Sequence, residues 1–242
     1  MSSWEFYRGV LSKMNWGTVA DWVVAAATFT LAVVAIFQDR IRAWLSAPEL
    51  EVSIRSEPPD CVSVPFTRQD TGEVVANTIH VRFWVKNVGK SLPRQVEVYA
   101  QRLRRERADG SWEDVRSFPP MNLLWADLHP PTMYFPGIAP CMGKHCDLGY
   151  IIEPARRRFM PHDENPTLQL TAQQVSFTFL LVARPNHKGH IVGPGRYQIH
   201  IVVAAENARP RTKRLELFLP GPWYPEEDRM LRDGIGVGVV NT

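Results

Sequence analysis

The stretch APCMGKHCDLG, residues 139–149, puts Cys141, His145 and Cys146 within six residues. Thiolates and imidazoles at close spacing are zinc ligands, and structural zinc sites add a second ligand pair elsewhere in the chain. The only other close pair of such residues is His187 and His190 in NHKGH, which reads as a solvated loop. If the stretch is a strand, His145 and Cys146 point to opposite faces, and Cys146, Leu148, Tyr150 and Ile152 form one side of it. Cys146 is therefore expected in the core, and neither a metal nor any other cofactor is expected. No G-x-S-x-G, Walker loop, H-E-x-x-H or G-x-G-x-x-G occurs, and the carboxylates are scattered or exposed, so no catalytic residue is assigned and the protein is read as a non-enzyme.

Two basic runs follow a different chemistry, RLRRER at 102–107 and ARRRF at 155–159. Aromatic side chains do not interleave them as a nucleic-acid site requires, and the net charge of +3 gives no global pull toward nucleic acid. They read as a solvated edge or loop. If they lie near a cytoplasmic leaflet, Arg104, Arg105, Arg156, Arg157 and Arg158 are the candidates to meet anionic lipid. The irregular, Pro-rich stretch at 117–140 carries Trp125, Tyr134 and Phe135, which make it a candidate surface for a protein partner, with Leu123 and Trp125 alternatively part of a core strand.

The elements that position these residues follow from periodicity. Leu50, Val52 and Ile54 alternate with polar residues, as do Ile79, Val81, Phe83 and Val85. The same holds for Val96, Val98 and Ala100, for Val175, Phe177, Phe179 and Leu181, for Tyr197, Ile199, Ile201 and Val203, and for Leu215, Leu217 and Leu219. One apolar and one polar face is the mark of antiparallel strands on a core. Turn residues separate them at NVGKS, ADGS, GPG and ENARP. In the first turn Asn87 can bond the backbone two residues on, and Gly89 is expected to take a positive φ. Pro225, three acids and Gly234 bracket a short terminal helix docked by Met230 and Leu231.

Residues 1–15 read as an amphipathic helix at a membrane interface, and residues 16–46 as a transmembrane helix with its juxtamembrane extension. Trp22 to Phe37 holds no charge. From Val19 the apolar run is long enough for a bilayer at about 1.5 Å per residue. Trp16, Trp22 and Trp44 flank it as interfacial anchors. Asp21, Ala25, Thr28, Ala32 and Ala35 recur at steps of three and four, which places them on one face as a candidate seam for homo-oligomerisation. The odd cysteine count and Arg40 and Arg42 favour a domain facing the cytoplasm from the inner (cytoplasmic) membrane.

The stretch IHVRFWVKNVGKSLPRQVEV resembles Ig-like bacterial modules of the CARDB type. The pieces GTVADWVVAAAT, FQDRIRAWLSAPELEV, CDLGYI, GPGRYQIHIVVAAENARP and GPWYPEEDRML resemble a group of bacterial single-span membrane proteins that carries no assigned activity. The resemblance implies a fold and no functional residue. The expectation is a mainly β chain: an N-terminal transmembrane α-helix followed by an antiparallel Ig-like β-sandwich over 47–242. Its expected role is an anchored interaction or sensing module with the lipid bilayer and a protein as partners. The alternative is an oligomerising membrane effector.

Overall fold

The computed structural model describes residues 18–68, 70–128, 130–159 and 164–240. It divides into two compact units, Met1–Ser46 and Ala47–Thr242. The expected interfacial helix at 1–15, with Trp16, lies outside the described residues.

In the first unit, helix α1 runs from Val19 to Leu45. Thr18 caps it. The Thr18 amide donates to Asp21 Oδ2 at 2.6 Å and the Asp21 amide donates back to Thr18 Oγ1 at 3.3 Å, a reciprocal arrangement that satisfies donors the helix start leaves open. The segment Val19–Gln38 is long and apolar enough to cross a membrane, and each of its side chains is exposed. The hydroxyls of Thr28 and Thr30 donate to the carbonyls of Val24 and Ala26 at 2.8 Å, so neither is an unsatisfied donor on an apolar helix.

The second unit is mainly β, with two antiparallel seven-stranded sheets. The first sheet contains β1 (Leu50–Ser53), β2 (Cys61–Thr67), β3 (Val74–Asn87), β7 (Leu124–Trp125), β9 (Gly143–Ile152), β10 (Phe177–Phe179) and β11 (Ile191–Val192). The second contains β4 (Arg94–Glu106), β5 (Trp112–Asp114), β6 (Met121–Asn122), β8 (Tyr134–Gly137), β12 (Gly195–Ala205), β13 (Ala208–Leu219) and β14 (Gly236–Val240). Their apolar faces meet in one core, in which Phe83, Val81, Phe177 and Phe179 of the first sheet pack with Val98, Ile201, Leu215 and Leu217 of the second. The arrangement is sandwich-like, as the alternation of β3, β4, β12 and β13 requires.

Several details depart from the expected pattern. A bulge between Val81 and Arg82 shifts β9. Phe83 faces Cys146, Val81 faces Gly149 and Ile79 faces Ile151, while Tyr150 lies on the opposite face against His80. Cys146, Leu148, Tyr150 and Ile152 therefore do not share one side, although Cys146 is fully buried as expected. The alternation read over 175–181 shrinks to the three residues of β10, whose two faces are both covered: Thr178 is 2% exposed. The run RLRRER is no edge, because β4 is paired with β12 on one side and β5 on the other. The Pro-rich stretch is not one loop. It holds β6, β7 and β8, and the chain crosses from the second sheet to the first at the buried Leu123. The terminal helix is one short α-turn, Glu227–Arg229, running into the π-helical turn Met230–Gly234, with Met230 and Leu231 buried as expected.

At the corner after β3 the Gly89 amide donates to Asn87 Oδ1 at 2.9 Å, as anticipated. Gly89 does not have a positive φ. It is glycine because the incoming chain crosses it, and a Cβ there would stand 2.3 Å from the Glu49 nitrogen. Asn87, itself fully buried, ties the corner to Ser91 O at 2.8 Å and Ile138 O at 2.9 Å.

Candidate functional surfaces

The outer face of the first sheet gathers titratable side chains from β3 and β9 and from the segments beside β2 and β7. His80, Arg82 and Trp84 alternate along β3 opposite the core positions Ile79, Val81 and Phe83. His145 of β9 is in register with Trp84, and their rings meet edge-on at 4.6 Å. Its Nε2 lies 3.0 Å from Oδ1 of Asp60, which is almost wholly buried just before β2. Arg82 reaches Asp147 at 3.3 Å and Asp127 at 3.7 Å. His80 stacks on Tyr150 at 5.3 Å.

Burial dominates the electrostatics here. It pushes His80 down to about 4, with Arg82 acting in the same direction and Asp127 against it. Burial also raises Asp147 to about 6, against the pull of Arg82. At neutral pH the face therefore holds a neutral imidazole beside an ion pair. The Asp60–His145 pair has the form of a base with its orienting carboxylate. Among the described residues no hydroxyl or thiol is bonded to that imidazole. The neighbouring Cys61 turns into the core, its Sγ donates to Arg55 O, and burial holds its thiol up to about 12. Cys146 is likewise held well above its ordinary value by burial.

The residues singled out from the sequence separate. Trp125 is 2% exposed: its register with Cys146 puts it in the core, with its indole N–H donating to Met133 O. It is therefore no partner surface. Phe135 half-buries itself on the Trp125 ring at 5.4 Å, and Tyr134 alone of the three is exposed. The five arginines do not form one lipid-facing set. Arg104 lies on the outer face of β4 and donates to Trp112 O. Arg105, its neighbour on the other face, donates to Pro194 O and stands 5.8 Å from the Tyr197 ring. Arg156 is exposed in the 3₁₀ turn Pro154–Phe159. Arg157 is buried and spends a donor on Gln174 O, so it is removed from the lipid-facing candidates. The Arg158 side chain lies outside the described residues. On α1, Ala25, Thr28, Ala32 and Ala35 are exposed, while the Asp21 carboxylate is occupied in the Thr18 cap.

Sequence reasoning passed over a groove of about 590 Å³ on the outer face of the second sheet, lined by Arg196, Glu216, Phe218, Gly236 and Gly238 among others. Its signal was the alternation of glycine and valine in GVGVV, with the glycines on the side where Val237 and Val239 are not packed.

Comparison with protein-family models, curated proteins and solved structures gives no match.

Proposed function

We propose that this protein is a membrane-anchored, non-catalytic interaction or sensing module, held by α1 in the inner membrane with its β unit in the cytoplasm. The observation that carries the reading is α1 itself. Twenty consecutive residues, Val19–Gln38, are apolar on average, and none of them is buried. In water, burying that surface would be worth on the order of 25 cal/mol per Å². The second unit has its own continuous core. A bilayer supplies the missing cover. The non-catalytic part is supported by Cys61 and Cys146, whose thiols are buried with their pKa raised by that burial. The cytoplasmic side is supported by three cysteines that remain free thiols, one of them exposed.

The test is alkaline carbonate extraction of native membranes. The full chain should remain in the pellet, and residues 47–242 expressed alone should stay in the supernatant. A full chain released by carbonate contradicts the anchor.

A further inference from the structure

The outer face of the second sheet carries a cationic cluster that an anchored module does not by itself require. Register places Arg102, His200 and Arg214 side by side across β4, β12 and β13, with Arg104, Gln198 and Glu216 in the next row. Both rows face away from the core, since the row between them, Leu103, Ile199 and Leu215, is buried. Four arginines, Arg102, Arg104, Arg196 and Arg214, share this face with three acids, Asp114, Glu216 and Glu106, the last 3.9 Å from Arg196. Asp114 of β5 takes two donors from Arg102 at 2.6 and 2.7 Å and stands 3.8 Å from Arg104. Glu216 is engaged by Arg196 at 3.1 Å and Gln198 at 3.2 Å. Arg104 Nε, Arg214 Nε and His200 Nε2 make no hydrogen bond among the described residues and are closed to water, so a solute would meet these arginines through their terminal nitrogens.

The groove described above lies beside this cluster: Arg102, Arg104, His200 and Arg214 do not line it, and its charged lining is Arg196 with Glu106 and Glu216. Across β13 and β14, Val240 is in register with Arg214, Gly238 with Glu216 and Gly236 with Phe218. Successive rows are about 7 Å apart, so the groove floor begins one row from Arg214. Phe218, 47% exposed, walls it, and a Cβ at Gly238 would meet nothing within 4 Å.

We propose that this face binds a soluble phosphorylated small molecule, with the phosphate held among Arg102, Arg104, His200 and Arg214 and a planar or apolar part lying on Phe218 in the groove. Phosphate fits because several guanidinium groups can share its oxygens in charge-assisted hydrogen bonds. A small solute fits better than a lipid surface. The groove has the volume of a ligand site, and Arg104 lies along the sheet, 28% exposed, rather than reaching outward. The field of the cluster is visible at His200. Burial, then Arg102, Arg214 and Arg104, hold its imidazole below the ordinary value, and Asp114 alone opposes them. A bound dianion must reverse that direction. This inference does not rest on the anchor, and it stands or falls separately from it.

The experiment uses the full chain in neutral detergent micelles, with ring-labelled histidine followed by NMR. Inorganic phosphate, phenyl phosphate and phosphatidylglycerol vesicles are titrated in turn. Inorganic phosphate should raise the His200 titration midpoint, and phenyl phosphate should do so at about tenfold lower concentration. Arg214→Gln should weaken both by about tenfold or more. Gly238→Leu fills open space and should abolish only the advantage of phenyl phosphate. An unmoved His200, equal binding by Arg214→Gln, or a response to the vesicles alone would each overturn the proposal.

Discussion

His80 and Asp147 make opposite demands on pH within one cluster, and replacing each in turn separates them. Asp147 has an ordinary value of 3.8 and a folded value of about 6. The folded state thus binds its proton more tightly, and the stability this gives is fully present below 3.8 and lost as pH rises through 6. At about 1.4 kcal/mol per pH unit, the loss is on the order of 3 kcal/mol. His80 has an ordinary value of 6.5 and a folded value of about 4. Its folded state rejects the proton, so its contribution is present above 6.5 and lost as pH falls through 4, by a similar amount. Both side chains are mostly shielded, with Asp147 at 16% exposure, so solvent screening leaves most of the effect in place. Over pH 4 to 6.5 the two contributions nearly cancel. The assay is urea unfolding of residues 47–242, followed by tryptophan fluorescence at half-unit pH steps. Relative to the parent, Asp147→Asn should gain stability as pH rises from 4 to 6.5. His80→Gln should gain stability, relative to the parent, as pH falls over the same range. Slopes of the same sign, or differences that do not change with pH, would refute the burial argument for this face.

Gly89→Ala should destabilise the β unit by more than the few tenths of a kcal/mol usual at a surface turn, because its Cβ meets backbone that cannot yield; urea midpoints decide it. Cys146→Ser should cost about 1–3 kcal/mol by placing a hydroxyl in a fully buried site, and a midpoint equal to the parent's would contradict that. If α1 self-associates through its small residues, replacing Ala25, Ala32 and Ala35 with Leu should weaken crosslinking in membranes, while Leu at Ala26 and Ala27 should not. Because Thr28 already donates to Val24 O, Thr28→Val should change that crosslinking little; a loss as large as that of the triple variant would show that the hydroxyl holds the seam.

Half-buried strands were legible because one face of each is wet: β3, β4, β12 and β13 show their alternation directly. β10 lies inside on both faces, so its polar Thr178, with the buried Ser176 just before it, gave a false sense of an outer side. β14 alternates glycine with valine and reads as a tail. β2 carries Pro65 and an exposed Phe66, which suit an edge segment and hide a strand. The bulges opposite Val81–Arg82 and His200–Ile201 leave Leu148 of β9 and Gln101 of β4 unpaired and shift the faces of those two strands, and no residue announces them. The same limit applied to the surfaces. His80, Arg82 and Trp84 were visible only as the polar half of β3, and Asp60, Asp127 and Asp147 join them from strands and turns far apart in sequence. Arg102, His200 and Arg214 come together through register, which spacing along one strand cannot express. Trp125 looked available because the Pro-rich residues around it suggested a loop, whereas its pairing with Cys146 places it inside.

The most direct test of membrane anchoring with a cytoplasmic β unit uses Cys141, which is exposed while Cys61 and Cys146 are buried. A membrane-impermeant maleimide is added to intact spheroplasts and, separately, to lysed ones, and the membranes are then washed with carbonate. Labelling at Cys141 should appear only after lysis, and the labelled chain should remain in the membrane pellet. Label acquired by intact spheroplasts would contradict the orientation, and labelled full chain in the carbonate supernatant would contradict the anchor.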